Sequence, residues 1–467
     1  MHSTSVLPQP AVNVGEALAA FAHDLRLDAI PATVQRKSVE HIVDAIGLAF
    51  ASHQFPFAAP GLQGIRAAAG TGVATVIGGD MRLAPRDAAL ANGYLIHGLD
   101  FDDTHPASIV HPSVACLPAA LALAEANDAS FGQMLAAYVA GMETAIRLGR
   151  AVKGGFHRVG FHATGIVSHF SSAIVAGKLL GLSAEQLLSA QGIAASTASG
   201  VQVFLENGAW TKRMHPGWGA LAGITAAHLA QAAFAGPRRP YEGRFGLLDT
   251  HLQGFASEVD ADSIAAGLGS DWAMLDTSIK PYPVCHFIHG CAEAALQLRR
   301  EIGPDATIEH IVCELPEATL PIVAEPASAK LVPKSDYEAK FSAQFVVAAC
   351  FARNRFTLAE LSDDSLHDPA ILALAAKTAC VKEAGSSFPK YFSGAVSITL
   401  ADGRTLRAHV PVNLGSGERA LSLDDIVGKF RGNAQLSVSG ARVDAVLDAL
   451  LSATPDTPVR AITCVLG

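Results

Sequence analysis

His97-Gly98-Leu99-Asp100-Phe101-Asp102-Asp103-Thr104-His105-Pro106-Ala107-Ser108-Ile109-Val110-His111-Pro112-Ser113-Val114-Ala115-Cys116-Leu117-Pro118 breaks a long run of apolar helical patterning. Apolar residues recur at helical spacing on both sides of it, over Leu83–Leu99 and over Pro112–Ala126. Between these patterns stand three carboxylates (Asp100, Asp102, Asp103), the hydroxyl of Thr104 and the imidazoles of His105 and His111. Pro106, Pro112 and Pro118 restrict the backbone that carries them. Acid/base groups on a stiffened backbone suit a preorganised site. The plainer reading is a helix–helix loop in which Asp103 or Ser113 caps a helix.

Working outward towards the N-terminus, Val12–Leu25 and Pro31–Ser52 are periodic like helices, with Pro31 in a first turn where its missing N–H costs nothing. Phe57–Ala69 is a weaker helix and Gly72–Gly79 a short extended piece. Gly70-Thr71-Gly72 is no dinucleotide loop, because the third glycine and a preceding strand are missing. On the other side follow Ser130–Val152, His162–Leu182, Ala184–Ser199 and Trp218–Gly236, rich in Ala, Gly and Ser, as close helix packing requires. Met134–Gly149 is apolar over most of its circumference and reads as a buried central helix.

The character changes near residue 276. Ala306–Leu315 alternates as a strand, while Asp336–Arg353 and Asp368–Glu383 read as helices. Ala395–Pro411 reads as a hairpin around Asp402-Gly403. Ser422–Phe430 and Ala441–Ser452 return to helix. The expected fold is therefore mainly α: a large all-α helical domain (residues 1–275 and 412–467) with a smaller α+β domain (276–411) inserted.

Composition narrows the function. The chain has 467 residues, half of them apolar, and a formal net charge of -9, which argues against nucleic acid or an anionic membrane as partner. No stretch matches a membrane span; Gly219–Ala235 comes nearest but contains His228 and Gln231. Met1–Val14 lacks the basic-then-apolar order of a signal peptide. Seven scattered cysteines suggest reduced thiols and a cytoplasmic protein.

Three more clusters carry chemistry. In Gly160-Phe161-His162-Ala163-Thr164-Gly165 a histidine opens a helix, where the dipole favours neutral imidazole and hence a base. In Gly208–Gly217, Lys212, Arg213 and His215 precede the helix that begins at Trp218 and sit among apolar Val203, Phe204, Trp210 and Met214; they form a candidate carboxylate site. In Ser278–His289, Lys280, Tyr282, Cys285 and His289 lie at the domain junction. Cys285 and His289, four apart, would share a helix face with Cys291 close by, but no second pair has ligand spacing, so no metal site is expected. There is no nucleophile elbow and no phosphate loop. Aspartate, histidine, threonine and lysine together suit proton abstraction next to a carboxylate without a cofactor: dehydration, decarboxylation or epimerisation.

Taken in order, Asp100-Phe-Asp-Asp-Thr104 with His111-Pro-Ser113, Gly160-Phe-His162, Thr211-Lys212 with His215, Lys280-Pro-Tyr282-Pro-Val-Cys285 with His289, and Glu338-Ala-Lys-Phe-Ser342 resemble the MmgE/PrpD family. Its members include 2-methylcitrate dehydratases, cis-aconitate decarboxylases and iminodisuccinate epimerases. The resemblance implies a helical domain with an α+β lid, a homodimer, a small di- or tricarboxylate substrate, and a cleft that needs no metal. It places the site on Asp100, Thr104, His111, His162, Lys212 and Lys280, with His215, Tyr282 and Cys285 as substrate-binding neighbours. The decarboxylase branch has a histidine where this chain has Cys285, which favours a hydro-lyase such as 2-methylcitrate dehydratase. A catalytically inactive carboxylate-binding protein is the reading from a different class.

Overall fold

The computed structural model describes residues 13–206, 208–303 and 306–467, so the N-terminal segment read above for a leader lies outside them except at its last two residues. The chain forms two compact units: residues 1–277 with 422–467, and residues 278–421.

The larger unit is helical. Its first helices are α1 (Val14–Asp24), α2 (Ala32–Ser52) and α3 (Ala58–Ala68). A two-stranded antiparallel ribbon follows, β1 (Thr71–Thr75) with β2 (Arg82–Leu83). Then come α4 (Pro85–His97), α5 (Pro112–Ala126), α6 (Phe131–Ala151), the single turn α7 (Gly155–Arg158), α8 (Ala163–Leu179), α9 (Ala184–Ala195) and α10 (Thr211–Gln231). Sequence logic sets the ends: α4 and α5 open on Pro85 and Pro112, and Ser130 with Gln133 builds a capping box on α6. α6 is buried almost throughout, and its charged residues inside, Glu143 and Arg147, pair at 2.8 Å.

α10 packs against both α4 and α8, and its glycines explain the closeness. A Cβ on Gly93 of α4 would stand 2.5 Å from Gly217 Cα, and one on Gly219 would stand 2.5 Å from the Ser168 Cβ of α8. This seats α10 deep in the unit. The helix also starts seven residues before the expected Trp218, at Thr211. Pro216 forfeits one backbone bond inside it, yet the packing of its first turns holds the helix, as burial routinely overrides local propensity. Lys212, Arg213 and His215 are therefore helical residues rather than a preceding turn.

The smaller unit is α+β. Its sheet has the order β4–β3–β5–β6, with β3 (Ile308–Leu315), β4 (Thr378–Lys382), β5 (Gly394–Leu400) and β6 (Thr405–Val410). β5 and β6 form the hairpin with Gly403 at φ 86° in its turn. Two expectations fail here. Asp368–Glu383 is helical only over Pro369–Ala375, and Thr378–Lys382 becomes an edge strand parallel to β3. Asp336–Arg353 breaks at Phe341-Ser342, where Ser342 caps the second helix by accepting from Phe345 N. Long-range strand pairing decides the first and a cap the second.

Residues 412–421 stay with this unit rather than returning to the helical one at 412. Arg419 pairs with Glu293, Ser416 Oγ donates to Ser278 Oγ at 2.8 Å, and Asn413 Nδ2 donates to His286 Nε2 at 3.0 Å. Buried polar groups need such partners, and these tie the segment to the 278–293 region. No helix among the described residues is long and apolar enough to cross a membrane.

Candidate active site

The 97–113 stretch joins α4 to α5, and its backbone is held by cations from distant helices. Arg213 Nε donates to Gly98 O at 2.7 Å, with its guanidinium over the Phe57 ring at 4.3 Å. Lys429 Nζ donates to Phe101 O at 3.0 Å and pairs with Asp44 at 2.7 Å. Between these anchors Asp100 takes a left-handed conformation, φ 52°, which costs a non-glycine residue on the order of 1 kcal/mol. The clamps and the Asp100 side-chain bond over-determine it.

That bond joins Asp100 Oδ2 to Lys212 Nζ at 2.9 Å, both groups being buried. The other oxygen, Oδ1, lies 3.7 Å from His111 Nε2. His111 precedes α5, and its backbone N–H donates to Thr164 Oγ1 of α8 at 3.1 Å. Its Nδ1 lies 3.2 Å from Asp102 Oδ1, while Asp102 Oδ2 bonds His97 Nδ1 at 2.8 Å. Asp102 is fully buried, which by itself would raise its pKa; His111 and His97 beside it outweigh burial and hold the carboxyl far below the usual range.

His162 is the residue before α8. Its backbone N–H donates to Gly200 O at 2.7 Å, and Phe161 bridges to Val201, so residues 160–162 are pinned to 200–202. The His162 ring stacks against His97 (centroids 5.4 Å, planes 22° apart), and its Nδ1 meets His215 Nδ1 at 3.2 Å. Burial first, then Lys212 and the neighbouring imidazoles, push the His162 pKa well below its ordinary value. The same causes depress His215 to about 4, burial leading and His97 and Lys212 following. Burial, rather than the helix dipole, is the main cause that favours a neutral imidazole at this helix start. His157, beside His162 at 6.3 Å, is likewise lowered to about 4 by burial and Lys212. Thr104 Oγ1 is buried without a protein hydrogen-bond partner, an opening for a ligand.

The larger unit thus collects Asp100, His111, His162, Lys212 and His215, with the additional residues His97, Asp102 and His157. His97, an imidazole ending one helix, is passed over in sequence, and Asp102, five residues on, reads there as a carboxylate without a role of its own. Asp103 serves structure. It accepts from Ser113 N at 3.2 Å and from Ser113 Oγ, and lies 2.7 Å from His41 Nδ1, so it caps α5 as the plainer reading expects. His105 caps the turn 106–108 by accepting from Ser108 N. Among the described residues, the trio that could hold a metal ion is His97, Asp102 and His111, each with one ligand atom within 4.8 Å of the others.

Lys280, Tyr282, Cys285 and His289 belong to the smaller unit. Lys280 and His289 are 1% exposed. The Tyr282 ring lies 5.4 Å from that of His289, and burial with Glu293 nearby raises its phenol well above the ordinary value. Cys285 N donates to Lys340 O at 2.9 Å, joining two segments that look alike to one family in sequence. The expected Cys285–His289 helix face is not formed: the helix begins at His289, and Cys285 caps the turn 286–288 before it. Cys291 Sγ instead faces the carbonyls of Glu314 and Ala395.

The chain is similar to known proteins over most of its length. Residues 16–260 match the MmgE/PrpD N-terminal domain and residues 282–453 the MmgE/PrpD C-terminal domain. Human cis-aconitate decarboxylase is 29% identical over 453 residues, spanning 93% of this chain and 90% of the human protein. The cis-aconitate decarboxylase of Aspergillus terreus is 27% identical over 452 residues, spanning 92% and 91%. The 2-methylcitrate dehydratase of Cupriavidus necator is 27% identical over 406 residues, 81% of each chain. With both of its domains matched in order, this chain belongs to the MmgE/PrpD family.

Proposed function

We propose that this protein is a lyase for a small di- or tricarboxylate, acting by proton transfer at a carbon next to a carboxylate. The observation that carries the reading is the buried Asp100–Lys212 pair with His111 on its far side and neutral His162 stacked behind. A substrate carboxylate can share the Lys212 ammonium with Asp100, and the charge that develops as a proton leaves carbon is stabilised by the same cation. A neutral imidazole is ready to accept that proton, and a second histidine can deliver one. Thr104 and His215 would hydrogen-bond the substrate; on their sequence context, Lys280 would act with Lys212 on carboxylates and the developing enolate, and Tyr282 and Cys285 would bind substrate.

As a hydro-lyase, the protein would break C–H and C–O bonds of a hydroxy-tricarboxylate such as 2-methylcitrate, release water and form a conjugated alkene. Cys285, in place of the histidine of the decarboxylase branch, supports this version. The second version is decarboxylation of cis-aconitate: a C–C bond breaks, carbon dioxide leaves, and the resulting carbanion takes a proton. The named activity of the human and A. terreus relatives supports it. Neither reaction requires a redox cofactor. A homodimer fits the exposed apolar side chains Trp210, Met214 and Trp218 of the α10 region, and sedimentation would test it.

The deciding experiment gives purified protein each substrate in turn. New ultraviolet absorbance with 2-methylcitrate supports the hydro-lyase, and carbon dioxide from cis-aconitate supports the decarboxylase. Loss of optical rotation from iminodisuccinate without either would make it an epimerase. Tight tricarboxylate binding without turnover would leave a binding protein and defeat the enzyme reading.

A further inference from the structure

The two oxygens of Asp102 face ring nitrogens of two different histidines. Oδ2 stands 2.8 Å from His97 Nδ1 and Oδ1 stands 3.2 Å from His111 Nδ1. The carboxylate is 0% exposed. An ionised carboxylate only accepts, so His97 Nδ1, which is hydrogen-bonded to it, carries the proton. The His111 Nδ1 contact is close without being aligned as a hydrogen bond, and the nearer carboxylate charge, at 3.2 Å against 3.7 Å for Asp100 at Nε2, favours the proton on Nδ1 there too. The His97 ring is then held with Nδ1 protonated and the His111 ring is drawn to the same tautomer, which leaves Nε2 of each as the atom that exchanges a proton. For His111, that Nε2 points to the Asp100–Lys212 pair, 3.7 Å from Asp100 Oδ1. For His97, Nε2 is buried without a protein partner, and the ring lies parallel to His162.

We propose that Asp102 is a positioning residue that sets the tautomer and aim of His111 and His97 together, presenting both Nε2 atoms to the substrate side. One buried carboxylate behind two imidazoles does here what a carboxylate behind a single metal- or serine-directed histidine does elsewhere: it fixes which nitrogen carries the proton and supports charge on the ring. His97, ending α4, braces the arrangement by occupying the second oxygen and stacking on His162. The kinetic consequence rests on the proton-transfer function proposed above; the tautomer assignment does not.

The experiment uses full-length protein labelled with 15N in histidine, at neutral pH, with His97 and His111 resonances assigned by single His→Gln variants. Nitrogen shifts should show Nδ1–H on both rings in the wild type. Asp102→Asn keeps the shape but turns one of the two acceptors into a donor, so at least one ring must change tautomer. In that variant kcat should fall about 10²–10⁴-fold with KM little changed, because orientation and not substrate contact is lost. His111 as the Nε2–H tautomer in the wild type would overturn the proposal. So would a folded Asp102→Asn protein with unchanged tautomers and unchanged kcat. If Asp102→Asn fails to fold, the wild-type spectrum decides. Because that spectrum needs no substrate, absence of turnover would defeat the proposed function without touching this assignment.

Discussion

Lys212 Nζ lies 2.9 Å from Asp100 Oδ2 although the two residues are 112 apart in the chain. Lys212 is on the first turn of α10, and Asp100 sits on a left-handed residue of the α4–α5 connection. A buried ammonium already stripped of water is a ready carboxylate receptor, and a substrate carboxylate can share it with Asp100.

Removing that cation leaves Asp100 buried and uncompensated. Lys212→Ala should cost about 2–5 kcal/mol in transition-state stabilisation, roughly 30- to several-thousand-fold in kcat/KM. Steady-state kinetics on the substrate that the wild type accepts would measure this. Near-normal turnover would remove Lys212 from the site.

His162→Gln should lower kcat by about 10²–10⁴-fold if His162 is the base, while thermal stability changes far less than activity. Comparing kcat with the unfolding midpoint separates the two effects. Equal loss in both would mean that His162 only fills space between His97 and His215.

Buried imidazoles make the fold sensitive to acid. His105, His157, His169 and His215 are each lowered to about 4, chiefly by burial. In the unfolded chain these groups titrate near 6.5, so above that pH neither state is protonated and the stability contribution is complete. As pH falls from about 6.5 towards 4, the unfolded state binds protons that the folded state refuses, and stability drops. Unfolding midpoints measured from pH 7.5 down to 4.5 should fall steadily below about 6.5; a flat profile would contradict burial of neutral imidazoles.

The helix seating is open to a packing test. A Cβ on Gly219 would lie 2.5 Å from Ser168 Cβ and 3.0 Å from His169 N, so Gly219→Ala should push α10 off α8. Overpacking of this kind costs about 1–3 kcal/mol, readable as a lower denaturation midpoint. Because Lys212 and His215 ride on α10, activity should fall too. Gly428→Ala, at an exposed helical position with open space around its Cβ, is the control: it should leave activity unchanged and raise the midpoint slightly, because Ala is favoured over Gly in a helix by about 0.5–1 kcal/mol.

Zinc should inhibit. His97, Asp102 and His111 place ligand atoms within 4.8 Å of each other, a geometry that a soft divalent ion can recruit at the expense of proton transfer. The expected result is reversible loss of activity on adding zinc, full recovery with chelator, and weaker inhibition of His97→Asn. Activity that instead requires added metal would reverse the assignment of these three residues.

Much of the outline is local and was readable without a structure. Helical periodicity placed α1 to α6, α8 and α9 within a few residues, because an apolar stripe and its caps are written in consecutive positions. The hairpin of β5 and β6 was equally visible in its alternation and its Asp402-Gly403 turn. The ordered motifs from Asp100 to Ser342 sufficed for the family. Tertiary structure alone decided the rest. Thr378–Lys382 became a strand because β3 was there to pair with it in parallel, a contact between distant segments that no local pattern encodes. α10 began at Thr211, and so aimed Lys212 at Asp100, because its glycines let it sink between α4 and α8. Which carboxylate caps a helix and which bridges two imidazoles was settled the same way: Asp102 and Asp103 are adjacent in sequence, but packing turns one towards His97 and His111 and the other towards His41 and Ser113.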